Sequence, residues 1–174
     1  YHLNRSNYFQ ARTLEDQRRQ IQLLADYDPL TGLHTRRKFE VRARNEFYRC
    51  LRYETNLSVI MVDLDHFKKI NDTYGHLVGD DVLAVTGGFI RNQTRASDII
   101  GRYGGEEFCL VLPETRQEEA RIIAERLREK LAAEKFAAAA GKTFSVTCSC
   151  GITERQAADD SFEQVLKRAD EALY

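Results

Sequence analysis

Two short stretches of this 174-residue sequence set carboxylates where carboxylates are costly to place. The apolar run Leu57-Ser58-Val59-Ile60-Met61-Val62 contains no Gly or Pro and reads as a buried strand, and it ends in Asp63-Leu64-Asp65. A carboxylate at the end of a buried strand loses hydration, and a bound cation is the usual compensation. His66-Phe67-Lys68 then open a short helix, whose first backbone N–H groups and Lys68 ammonium could receive a polyphosphate. Asp65 reads as the cap of that helix. Asp63 has no such explanation.

The second stretch is Arg102-Tyr103-Gly104-Gly105-Glu106-Glu107-Phe108. Two glycines between apolar runs predict a hairpin, and they also let backbone come close to a ligand. Two consecutive acids at its tip oppose each other electrostatically. If the hairpin pairs beside the first strand, Glu106 or Glu107 approaches Asp63. Three oxygen donors between two strand ends would then suit Mg²⁺ on a triphosphate. Taken alone, the turn reads equally well as a solvated hairpin with acidic gatekeepers. Two other patterns fail on spacing. Gly141-Lys142-Thr143 lacks the P-loop glycine, since Phe136 stands five positions earlier, and it precedes a strand. Asp63-x-Asp65 has Lys68 where an EF-hand loop needs Gly. His34, His66 and His76 sit beside turn residues and read as structural or surface groups.

The elements that must position these residues alternate. Residues 1–27 predict a helix whose Leu3, Leu14, Ile21 and Leu24 share the a and d positions of one heptad frame, with Asn7, Gln10 and Gln17 filling the rest. It reads either as a weak coiled-coil seam or as a surface helix. Asp28-Pro29-Leu30-Thr31-Gly32 is a turn cluster and the expected boundary to a domain over 28–174. Helices are expected over Thr35–Tyr53, Phe67–Asn71, Asp80–Arg95, Glu118–Lys135 and Ser161–Leu173, the last capped by Ser161. Strands are expected over 57–63, Ile99–Tyr103, Phe108–Leu112 and Phe144–Ile152. A hairpin inside an alternating pattern means a mixed sheet with helices on at least one face, hence an α/β domain.

Lys and Arg number 26 against 27 Asp and Glu, a net charge of -1, which argues against bulk nucleic-acid or anionic-membrane binding. No apolar run approaches the roughly 18 residues of a membrane span. Cys50, Cys109, Cys148 and Cys150 fit reduced thiols of a cytoplasmic protein, with no second pair to complete a zinc set. The sequence does not begin with Met, so it is expected to be a piece of a longer chain.

Gly104-Gly105-Glu106-Glu107-Phe108 resembles the signature of the GGDEF family of diguanylate cyclases, in its Glu-for-Asp form. Other segments resemble that family in order. They are Asp28-Pro29-Leu30-Thr31-Gly32-Leu33; Asp63 to Asp72 with Gly75-His76 and Gly79-Asp80; Ser149-Cys150-Gly151-Ile152; and Ala169 to Tyr174. The resemblance implies a palm-like domain, a mixed sheet of about five strands flanked by helices, related to nucleotide cyclases and polymerases. It implies condensation of two GTP into cyclic di-GMP by two facing subunits, with two Mg²⁺ or Mn²⁺ per site. By it, Asp63, Glu106 and the Leu64 carbonyl hold metal, Glu106 helps deprotonate the 3′-hydroxyl, and Glu107 supports the site. Phe67 and Lys68 hold phosphates, Gly104 and Gly105 border the substrate, and Asn71 and Asp80 read the guanine edge. An Asp that accepts from guanine N1–H and N2–H₂ rejects adenine, which offers no such donor pair. Arg95-Ala96-Ser97-Asp98 resembles the family's R-x-x-D inhibitory site, completed by Arg126, for product feedback.

The sequence departs from the family at two places. Thr35 stands where Asn is usual before Arg36, and the family's Lys and Arg beyond the final Tyr are absent, so the C-terminal end reads as truncated and GTP is expected to bind less tightly. Two other functions compete with the cyclase: a non-catalytic cyclic di-GMP receptor acting through Arg95 and Asp98, and a structural dimerisation module. The intact Asp63 and signature acids favour the enzyme.

Overall fold

A computed structural model describes the backbone of residues 2–173 and the side chains of 8–15, 17–21 and 25–173. Leu3 and Leu24 of the expected seam, and Tyr174, lie outside the described side chains. Helix α1 (His2–Asp26) leads into a short strand β1 (His34–Thr35) and helix α2 (Arg36–Tyr53). Strand β2 (Leu57–Leu64) is followed by α3 (Phe67–Tyr74) and α4 (His76–Gln93). Next come the hairpin strands β3 (Ile99–Arg102) and β4 (Glu107–Pro113), then α5 (Gln117–Ala133). A minor hairpin of β5 (Phe136–Ala137) and β6 (Thr143–Phe144), strand β7 (Cys148–Glu154) and helix α6 (Phe162–Glu171) complete the domain.

The main sheet has the order β1-β3-β4-β2-β7, antiparallel except where β1 runs parallel to β3. It is the palm-like mixed sheet expected from the sequence. The continuous apolar run of β2 follows from its central place, since both of its faces are covered. Ile60, Val62 and Leu64 face α3, α4 and α5 through Phe67, Val82, Leu83, Ala124 and Leu127. Leu57, Val59 and Met61 face α2 and α6 through Phe39, Phe47, Phe162 and Val165. Asp63 continues the Leu57–Val59–Met61 face by strand alternation, at the point where the apolar cover ends.

The structure shifts three expected boundaries. α4 begins at His76, with only Gly75 between it and α3, because Gly79 is an inner helical residue placed against Asn71. The strand expected from Phe144 breaks at Val146, which is buried under the sheet, and β7 keeps only the seven residues that match Ser58–Leu64 in register. Thr35 caps α2, its hydroxyl accepting from Lys38 N–H, whereas Ser161 makes no side-chain cap. On α1, Leu14 and Ile21 are half or more exposed. The four cysteines form no disulfide.

Candidate active site

The antiparallel register places Glu107 of β4 directly across from Asp63, and Ser149 of β7 on its other side. Beyond that pair, Leu64 N–H donates to the Glu106 carbonyl at 3.3 Å, so the pairing continues one residue further and the β3–β4 turn lies beside the end of β2. Tyr103 and Gly104 N–H both donate to the Glu107 carbonyl, at 2.8 and 3.2 Å, closing the hairpin tip. The two glycines have negative or extended backbone angles, so the turn is not the left-handed type that Gly-Gly predicts. A Cβ on Gly104 would displace the Glu107 carboxylate from its place against that glycine, while a Cβ on Gly105 would meet nothing.

Burial, and then the charges of Glu106, Glu107 and Asp65, push the Asp63 carboxyl up to about 6. Every one of these influences opposes ionisation, which is the electrostatic state of a site built for a cation. Among the described residues no three His, Cys, Asp or Glu side chains stand close enough to hold an ion between them. The acids near Asp63 thus do not close on one point as a trio, and the Glu107 carboxylate lies against Gly104. The residues still fit Mg²⁺, which takes one or two protein carboxylates and fills its remaining positions with carbonyl, water and substrate phosphate oxygens.

Asp65 does not cap α3. The N-cap is His66, held at φ 56, with no side-chain cap bond to the first turn. Both Asp65 oxygens instead accept hydroxyls, Oδ2 from Thr147 at 2.6 Å and Oδ1 from Ser149 at 2.7 Å. The Phe67 side chain is 6% exposed within the core, so only its backbone can meet a phosphate, whereas Lys68 is exposed. Asn71, in the last turn of α3, lies over Gly79: a Cβ there would sit 1.9 Å from Asn71 Oδ1. Gly79 thus leaves room for the Asn71 carboxamide, and the next residue, Asp80, is exposed.

Two contacts that hold the hairpin carried no signal of function in the sequence. Arg102 donates to the Gly105 carbonyl at 2.8 Å and to Asp28 Oδ1 at 3.1 Å. Asp28 Oδ2 accepts Thr31 N–H and hydroxyl. Although burial pulls the Asp28 carboxyl upward, these bonds outweigh it and leave it below its ordinary value. On the other side, the Arg36 guanidinium sits 4.3 Å from the Tyr103 ring centroid and donates to its hydroxyl. The Asp28–Gly32 turn is thereby tied to the hairpin tip.

Away from this site, the buried Asp98 accepts Arg95 N–H at 2.7 Å, and burial holds its carboxyl above the ordinary range. The pair is a closed turn after α4 rather than a surface ion pair, and it leaves the Arg95 side chain exposed. Arg126 is exposed on α5, which packs against α4.

Residues 25–174 match the family described as diguanylate cyclase, GGDEF domain. The chain belongs to that family. It is 45% identical over 161 residues to the diguanylate cyclase DgcP of Pseudomonas aeruginosa, an overlap covering 92% of this chain and 23% of that protein. It is 40% identical over 152 residues to the response regulator PleD of Caulobacter vibrioides, covering 87% of this chain and 34% of the other. The chain thus spans well under half of these relatives. Among solved structures, the coiled coil and GGDEF domain of DgcB from Caulobacter crescentus, in complex with c-di-GMP, superposes with a TM-score of 0.93 at 26% identity, over 97% of this chain and 89% of that one. The active GGEEF domain of a diguanylate cyclase from Vibrio cholerae gives 0.76 at 34% identity, over 80% and 88%. Among the described residues, no helix is long and apolar enough to cross a membrane.

Proposed function

We propose that residues 28–174 condense two GTP into cyclic di-GMP, working as a homodimer in which each subunit presents one GTP to the other. Residues 1–27 serve as the linker helix that sets how two domains face each other. The observation that carries the reading is the placement of Asp63, desolvated and surrounded by acids, beside a helix start left without a side-chain cap. Asp63, Glu106 and the Leu64 carbonyl hold the divalent cations, and Glu107 braces the hairpin. Bound there, Mg²⁺ or Mn²⁺ offsets triphosphate charge and polarises the α-phosphate. The Phe67 and Lys68 N–H groups and the Lys68 ammonium hold the phosphates. Asp80 accepts from guanine N1–H and N2–H₂, Asn71 lies along the same edge, and open space at Gly105 admits the substrate. Glu106 takes the proton of the 3′-hydroxyl as its oxygen bonds to the partner GTP's α-phosphorus, and the α–β bond breaks to release pyrophosphate. Two such steps close the ring.

The test is GTP with Mg²⁺ and this protein, products resolved by mass, beside Glu106→Ala. Cyclic di-GMP that disappears in the variant is the expected result. Cyclic di-GMP formed equally by the variant would remove Glu106 from the chemistry. A protein that binds cyclic di-GMP but turns over no GTP would be a receptor instead.

Product feedback is assigned to Arg95, Asp98 and Arg126. The Asp98–Arg95 turn holds the Arg95 guanidinium outward, where it can take a guanine edge and a phosphate together. Arg95→Ala is expected to raise the inhibitory concentration of cyclic di-GMP at least tenfold while the initial rate stays within about twofold, a rough scale for losing a charge-assisted contact. Rates measured over a product titration decide it, and an unshifted inhibition curve would refute the assignment.

A further inference from the structure

We propose that Asp65 is a positioning residue for the triphosphate, acting through a tie to β7; this rests on the cyclase reading above. Its backbone N–H donates to the Thr147 carbonyl at 2.9 Å. Its two carboxylate oxygens accept the hydroxyls of Thr147 and Ser149, which lie 82 and 84 residues away in sequence. With both oxygens engaged, Asp65 is neither a helix cap nor a free metal ligand. It is a clasp that joins the exit of β2 to the start of β7.

What the clasp holds is the corner between the metal end and the phosphate end of the site. Leu64, whose carbonyl is assigned to metal, precedes Asp65 directly. His66 follows it in the left-handed region at φ 56, a conformation that a non-glycine keeps only where its surroundings over-determine it. His66 supplies no side-chain cap bond of its own. The three bonds of Asp65 are therefore the local restraint on the angle at which the chain turns into α3. That angle sets where the Phe67 and Lys68 N–H groups point. Charge-assisted bonds to two hydroxyls suit this task, being short and directional.

A charge role and a clasp role predict opposite signs. As a bare negative charge near a triphosphate, Asp65 would repel it, and its removal would tighten binding. As a clasp, its removal misaligns the corner and weakens binding. Guanine recognition at Asn71 and Asp80 lies a full turn or more farther on, so a ligand with a single phosphate should feel the change little.

The experiment measures affinity for 3′-deoxy-GTP, which lacks the attacking hydroxyl, and for GMP, both with Mg²⁺, by calorimetry. Asp65→Ala is expected to weaken 3′-deoxy-GTP at least tenfold and GMP by less than twofold. Thr147→Val with Ser149→Ala should reproduce that loss with the carboxylate in place, and Thr147→Ser should recover it relative to Thr147→Val. Tighter triphosphate binding by Asp65→Ala, equal losses for both nucleotides, or no loss in the Thr147/Ser149 double variant would overturn the inference. Should Asp65→Ala fail to fold, the double variant decides alone. Unmodified protein that binds neither nucleotide would instead count against the cyclase reading.

Discussion

Asp63→Asn is expected to abolish cyclic di-GMP formation and, at neutral pH, to raise the midpoint of thermal unfolding. The two effects share one cause. Burial and three neighbouring acids push the folded-state carboxyl up to about 6, against an ordinary value of 3.8 that holds in the unfolded chain. Between those values the folded protein binds more protons than the unfolded one, so this group's contribution to stability falls as pH rises through the window. Above pH 6 the carboxylate is charged in both states, and its full cost is borne by the folded one. Asn removes the cost and with it the oxygen charge that a divalent cation needs. A domain of this size gains roughly 2–4 °C per kcal/mol, so a rise of a few degrees is the expected scale. The comparison is the midpoint of both proteins at pH 7 and at pH 4, with Mg²⁺ and nucleotide and without. The gap should close at pH 4, where the Asp63 carboxyl is protonated in the folded state. Ligand should stabilise only the unmodified protein. A variant less stable at pH 7 would show that Asp63 is a structural anchor and not a strained ligand.

That trade of stability for charge explains why the site was legible in the sequence. A carboxylate ending an apolar strand conflicts with the burial of that strand, and Gly-Gly before two acids conflicts with charge separation. Such conflicts mark a site when no other partner resolves them. Asp65 shows the limit of the same reasoning. From sequence it was an adequate cap for α3, because a cap is a local device and its signal is local. Its true partners, Thr147 and Ser149, are set by the register of β2 against β7, which no local pattern encodes. Arg102 was hidden for the same reason: an Arg before a glycine hairpin is unremarkable until the Asp28 turn is brought beside it. The fold itself followed from periodicity, since the alternation of strands and helices and the apolar run of β2 dictate a covered mixed sheet. Its boundaries followed less well. The glycine at 79 looked like the start of a helix, although it lies inside α4 to leave room for Asn71.

Gly151 is a position where a side chain would meet backbone directly. It sits buried in β7 opposite Met61, on the face that α6 covers. A Cβ placed there would lie 2.0 Å from the Ala169 carbonyl oxygen and 2.7 Å from the Leu173 nitrogen. Both are backbone atoms, one in the last turn of α6 and one just past its end, so no side-chain rotation can relieve the contact. Gly151→Ala must lift the end of α6 off the sheet, opening the cluster of Phe162, Val165 and Ala169 against Val59 and Met61. Overpacking of this kind costs about 1–3 kcal/mol, and a clash with backbone belongs at the upper end. A fall in the unfolding midpoint of about 6–12 °C is the corresponding expectation. Gly88, in the middle of α4, is the contrast, because a Cβ there would meet nothing within 4 Å. Ala at that position removes the entropic penalty of a helical glycine and should stabilise by up to about 1 kcal/mol. Thermal unfolding of the two variants therefore separates a glycine required by contact from one that is not. Equal midpoints would mean that α6 does not lie on β7 at Gly151. A loss confined to Gly151→Ala would place a close backbone approach of α6 two residues from Ser149, within the strand that clasps Asp65 and flanks Asp63.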